Sequence, residues 1–278
     1  GVMSKDSHLI INNDNDPAHR VLVRAYTPNW TVNVTGLKTF DGTIDIKGLV
    51  DIYTNGAWGT NAAGGRISVG GGRIHTDNYT GVTARSGGIM NVNVSGSVES
   101  GLVPGTNPVT IVGGMSTKGY YVGTNDNATV NVALTTPDST MTGIANEVDG
   151  ITDAATLGIR LFLQNGATWY NTGKSSMRHF YGGKDAAHAG IVDQTKNKAG
   201  EEMHLARYSG YSRFYYGHDA DDPQKLSLGQ VYINKAERTD GKKAQAVFMT
   251  DAEGFGENIN DKGYTDGILF ALAQKLIY

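Results

Sequence analysis

The densest aromatic cluster in the chain is Tyr208, Tyr211, Tyr215 and Tyr216. Tyrosines on a strand can stack on sugar rings or anchor a protein partner, because each offers an apolar face and a hydroxyl. The same four residues can equally form an aromatic stack inside a core. Just beyond them, Asp219, Asp221 and Asp222 gather carboxylate oxygens that could hold calcium. The segment lacks the Gly and the distal Glu of an EF-hand loop and ends at Pro223, as solvated turns do. Asn12-Asn13-Asp14-Asn15-Asp16-Pro17 has the same character. Cleavage of a glycosidic bond needs two carboxyls about 5–9 Å apart. Asp45, Asp51, Asp219 and Asp222 could contribute, and spacing in sequence does not decide whether any two lie that close.

Other chemistries fail on particular residues. Thr168-Trp169-Tyr170-Asn171-Thr172-Gly173-Lys174-Ser175 resembles a phosphate-binding loop whose first Gly has become Thr. Trp169 and Tyr170 would crowd a loop that must wrap closely around phosphate, and no good helix follows. There is no Gly-x-Ser-x-Gly elbow. The seven His are scattered without a His-x-x-x-His pair, and there is no Cys, which makes a structural zinc site unexpected. The sequence therefore predicts no catalytic residue and no cofactor.

The elements that would position these residues are strands. Thr31–Gly36, Thr43–Gly48, Met90–Gly96 and Thr129–Val132 each alternate polar and apolar residues, which buries one face of a strand. Between them lie Thr54-Asn55-Gly56, Gly70-Gly71-Gly72, Thr76-Asp77-Asn78 and Thr124–Asn127, rich in turn residues. In the second half the spacing predicts strands over 159–163, 168–170, 179–181, 203–206, 213–216, 230–233 and 246–249. Residues 146–156 and 219–224 read as loops. Asp266–Tyr278 carries Ile268, Leu269, Leu272, Ala273 and Leu276 at helical spacing and predicts a short C-terminal helix.

Of 278 residues, 38 are Gly, roughly twice the ~7% of an average protein, and 39% are hydrophobic, so a core can form. The formal net charge is −3, with no basic stripe of the kind that binds nucleic acid. No apolar run approaches the ~18 residues of a membrane helix. Recurring short strands with Gly/Asn corners predict a single all-β domain over residues 1–278. The expected fold is a right-handed parallel β-helix, regular over 1–157 and looser over 158–278.

Asn55-Gly56-Ala57-Trp58 and Asn165-Gly166-Ala167-Thr168-Trp169 share an Asn-Gly-Ala…Trp signature. The second resembles the Gly-Ala-Thr-Trp element of bacterial autotransporter passenger domains, the pertactin and AIDA-like adhesins. Tyr208–Tyr216, Gly229–Ala236 and Ala271–Leu276 are similar to passenger segments as well. The resemblance is loose, running from about residue 30 to the end. It implies a β-helix on a Gram-negative surface, secreted or attached through a C-terminal outer-membrane barrel that this sequence does not contain. An export signal would lie outside the sequence, since Gly1-Val2-Met3 reads as a processing boundary.

The expected function is that of an adhesin passenger that binds a host or bacterial surface protein or glycan, or self-associates, without catalysis. The alternatives are a polysaccharide lyase or hydrolase on the same scaffold, and a structural stalk of a longer surface protein.

Overall fold

A computed structural model describes residues 1–28, 34–56, 58–117, 127–147, 157–194, 202–218, 226–227, 231–237 and 245–250. The chain is a right-handed parallel β-helix, and its described residues make nine coils. Each coil passes through three parallel sheets, and some strands, such as Thr43–Thr54 and Ser175–Tyr181, run through two of them. The register is continuous in all three.

In the first sheet Met3, Lys38, Asn61, Thr83, Ser116, Asn146, Ser176, His204 and Tyr232 stand side by side. In the second, the row is Ile11, Ile46, Val69, Val92, Val132, Leu161, Phe180, Tyr208 and Ala236. In the third, it is Val23, Ile52, Ile74, Ile111, Met141, Trp169, Val192, Phe214 and Phe248. Neighbouring strands lie about 4.8 Å apart, so each row is a ladder with that step.

The second and third rows point inward. Their members from Ile46 to Tyr208 and from Val23 to Phe214 form one continuous core. The alternation read from Thr43–Gly48, from Thr129–Val132 and from Met90–Gly96 as far as Val92 is the alternation between this core and the outer face. The seven strands expected in the second half each overlap an observed strand, with extended ends such as Ser175–Tyr181 and Tyr211–His218. Gly36, Gly59 and Gly81 stack where the first and third sheets meet. A Cβ on Gly59 would strike the Gly81 carbonyl and the Ile74 methyl, so the close approach of successive coils requires glycine here.

One feature, an inserted hairpin, differs from the sequence reading. Among the described residues the only helical turns are the 3-10 turns Pro17–His19 and Ala186–His188; the expected helix at 266–278 lies outside the described residues. A hairpin, Val94–Ser97 with Gly101–Pro104, is inserted between the second and third sheets of the fourth coil as a separate antiparallel pair. The alternation over Met90–Gly96 reads as one strand, but it breaks at Asn93, which adopts a left-handed φ of 56°. Asn tolerates that conformation better than most residues, and here it redirects the chain out of the sheet.

Candidate groove over the second sheet

The hairpin stands over the outer face of the second sheet. Asn93 fastens its base. The Asn93 amide donates to the carbonyls of Asn107 (3.0 Å) and Ala133 (3.1 Å), and Gly105 N donates to the Asn93 carbonyl at 2.7 Å. Asn107 in turn donates to Gly70 O (2.8 Å) and to Asn15 Oδ1 (2.9 Å), tying the hairpin to the third coil and to the first-coil loop.

Beneath it lies an open groove of about 610 Å³. Its floor is an outward row of the second sheet: Asp45, Ser68, Asn91 and Asn131 are adjacent in register. Asn131 Nδ2 donates to Asn91 Oδ1 at 2.8 Å, and Asn91 Nδ2 donates to Ser68 Oγ at 3.3 Å. The chain of bonds leaves one acceptor over. Asn131 is 2% exposed, and its Oδ1 has no partner. At one end Arg66 Nη2 meets Asp45 Oδ2 at 2.9 Å. At the other, Glu99 lines the groove from the hairpin. Its carboxyl is held below the usual range first by its own backbone N–H, then by the Ser97 hydroxyl, with Arg160 also attracting it.

The same row continues past Asn131 through Arg160, His179 and Arg207. Arg160 and His179 are buried. Burial, followed by the flanking Arg207 and Arg160 charges, pushes His179 down to about 3, so its ring is neutral at ordinary pH. The ring stacks on Tyr181 at 3.7 Å between centroids, and Tyr181 stacks on Phe162 at 4.3 Å. Along one outward ladder the chemistry therefore passes from a carboxylate, through amides, to cations.

Comparison with protein-family models, curated proteins and solved structures gives no match to this chain.

The residues singled out in the sequence are dispersed. Tyr208 is 1% exposed and lies in the inward row beside Phe180, with 5.6 Å between ring centroids; it is a core residue and not part of a binding face. Burial raises its hydroxyl pKa. Tyr211 and Tyr215 are half-buried on the next strand, in the third sheet, where Tyr215 stands beside Asp193. Tyr216 follows in the same strand, opposite Thr250. Asp219, Asp221 and Asp222 lie outside the described residues.

Asp14 is engaged by His19 at 2.8 Å, and Asp16 Oδ1 caps Ala18 N at 2.8 Å, so these carboxylates build a turn. Asp51 is paired with Arg24 at 2.9 Å. Thr168–Tyr170 is a strand, and after it Ser175 Oγ donates to the buried Asn171 Oδ1 at 2.8 Å, which is not the geometry of a phosphate loop. Among the described residues no three His, Asp or Glu gather as a metal site, and no helix is long and apolar enough to cross a membrane.

The groove was not found by sequence reasoning. Its floor residues are separated by whole coils, and Asn is an ordinary turn residue. One signal was available: Asn91 and Asn131 occupy the same place in two similar alternating strands.

Proposed function

We propose that this chain is a binding domain of the autotransporter-passenger kind, displayed at or released from a Gram-negative surface, that holds a glycan in the groove beneath the 94–104 hairpin without cleaving it. The observation that carries the reading is the amide–hydroxyl floor Ser68–Asn91–Asn131, with the Asn131 Oδ1 acceptor buried and unpartnered. An unpaired buried acceptor costs about 1–3 kcal/mol, which a ligand hydroxyl donated to it would offset. Side-chain amides suit sugar hydroxyls because each amide both donates and accepts. The groove also has the volume and open shape that an extended ligand needs.

The state of the carboxyls supports binding over cleavage. A general acid on a glycosidic oxygen needs a raised pKa. Glu99 is shifted the other way, and Asp45 is occupied by Arg66. Glu147, which burial does push up, spends its oxygens on Arg178 Nη2 (3.0 Å) and Ile159 N (2.9 Å). The surface location and the host or bacterial partner rest on the Asn-Gly-Ala…Trp resemblance and the Gly-rich composition.

The test is calorimetric titration with neutral oligosaccharides of bacterial and host surfaces, followed by chromatography of the same mixtures. Saturable binding that weakens at least tenfold in Asn131→Ala, with the oligosaccharide recovered intact, is the expected outcome. Shortened or unsaturated products would replace this reading with the lyase or hydrolase alternative.

A further inference from the structure

A second polar cluster lies on the outer face of the first sheet. Lys38, Asn61 and Thr83 are consecutive in register, and Phe40, Ala63 and Arg85 form the row two residues further along the same three strands. Residues two apart on a strand share a face, so these six form one patch.

The patch holds a concentration of unmet hydrogen-bonding groups. Asn61 is 0% exposed, and neither its Oδ1 nor its Nδ2 has a partner. Thr83 Oγ1 and Arg85 Nε are also buried and unpartnered. Other buried amides, such as those of Asn93 and Asn171, are hydrogen-bonded, and Asn131 leaves only its oxygen unmet. Four buried atoms left unmet in one patch are a concentrated desolvation cost.

Two cations stand in the same patch. Lys38 Nζ lies 4.5 Å from the centre of the Phe40 ring, and the Arg85 guanidinium 5.2 Å from that of Trp58. Each rests on an aromatic face, and among the described residues neither pairs with a carboxylate. Burial, and then the Arg85 charge, lowers the Lys38 ammonium below the ordinary lysine range, so the two repel. Asp41 follows Phe40 at the corner, where its backbone N–H is bonded to the Ala63 carbonyl, and it forms no ion pair with either cation.

The unmet groups define what would satisfy them. Arg85 Nε, Asn61 Nδ2 and the Lys38 ammonium are donors and call for an anionic oxygen. Asn61 Oδ1 is an acceptor and calls for a hydroxyl or amide proton. A bare inorganic anion would serve only the donors. A neutral sugar would leave the two cations uncompensated. We propose that Lys38, Asn61, Thr83 and Arg85 form a site for an acidic saccharide, one that carries a carboxylate or sulfate beside free hydroxyls. The site is on a different sheet from the hairpin groove and does not depend on it.

The experiment is titration of the whole chain with D-glucuronate, glucose 6-sulfate, glucose and inorganic sulfate, followed by nuclear magnetic resonance of the backbone amides. The two acidic sugars are expected to bind at least tenfold more tightly than glucose and than inorganic sulfate, and to shift the amides of residues 38, 61, 83 and 85. Lys38→Gln and Arg85→Gln, both half-buried positions that can be exchanged without emptying the core, are expected each to weaken the acidic sugars at least tenfold while keeping the wild-type circular dichroism. Binding of glucose at equal strength, of inorganic sulfate at equal strength, or of the acidic sugars by the variants as by the wild type would each overturn the assignment. So would an absence of binding by both acidic sugars. Asn131→Ala, which disables the groove, is expected to leave glucuronate binding unchanged; a parallel loss would move the acidic sugar to the groove.

Discussion

His179 shows how a single side chain sets a property of the fold. It is buried between Arg160 and Arg207 in the outward ladder of the second sheet and is held to about 3, against an ordinary value of 6.5. The unfolded chain takes up a proton as the pH falls through 6.5, and the folded chain does not. The group's contribution is therefore fully present above pH 6.5 and is lost on acidification, by about 1.4 kcal/mol per pH unit until about pH 3. Glu147 has the opposite sign: burial raises its pKa, so its contribution is present at low pH and is lost as pH rises through the raised value. Asp14, Asp77 and Asp185 are held low chiefly by hydrogen bonds from His19, Tyr53 and His188, and lose stability only in the carboxylate range. Between pH 6.5 and 5 His179 therefore lowers stability as the pH falls, with Glu147 acting in the opposite direction. Urea unfolding followed by circular dichroism should show stability falling across this window in the wild type and a flatter profile in His179→Gln. An equally steep profile in the variant would assign the slope to other groups.

At the scale of the element, hairpin and corner answer different questions. Among the described residues the hairpin strands pair only with each other, and the base is clasped by Asn93, Gly105 and Asn107, which belong to the coil. Replacing residues 95–103 by a short Gly-Ser link should leave melting within a few degrees of wild type and abolish binding in the groove. A collapse of melting would show that the hairpin supports the coil. At the corner, Gly59→Ala places a methyl against the Gly81 carbonyl and Ile74, and overpacking of this kind costs about 1–3 kcal/mol, read as a lower urea midpoint.

Elements were also where the sequence was most legible. Alternation located the strands because one face is core, and Asn and Gly located corners because successive coils approach closely there. Three things stayed hidden, each for a physical reason. The first strand of the hairpin reads as part of Met90–Gly96, since alternation has no mark for a left-handed Asn93. Asn91 and Asn131 read as outward polar residues, although both are buried on the groove floor. The two Asn-Gly-Ala…Trp copies read as equivalent, yet Trp58 falls in the first sheet and Trp169 in the inward row of the third. The sites combine residues from different coils, so no local motif could announce them; Lys38 and Arg85 meet only because the strands of 35–40, 58–63 and 80–85 stack.

The whole molecule is a stack in which each coil touches its neighbours, so stability is approximately a sum of coil and interface contributions. Trp169 tests how far damage spreads along it. It is 0% exposed, flanked by Met141 and Val192 in the third-sheet row, and its Nε1 donates to the Gly143 carbonyl at 2.8 Å. Truncation to Ala removes the ring and leaves that carbonyl without its bond, at a cost of about 3–5 kcal/mol. In a globule with one cooperative core that loss would appear everywhere. In a stack it should fall on the fifth to seventh coils. Hydrogen exchange measured by mass spectrometry is expected to accelerate in 140–142, 168–170 and 191–193 of Trp169→Ala while 44–54 and 66–76 keep wild-type protection. Uniform acceleration would mean that the nine coils fold as a single unit. Local acceleration would mean that the groove over coils two to five tolerates substitution further along the stack, as a binding surface assembled from independent layers requires.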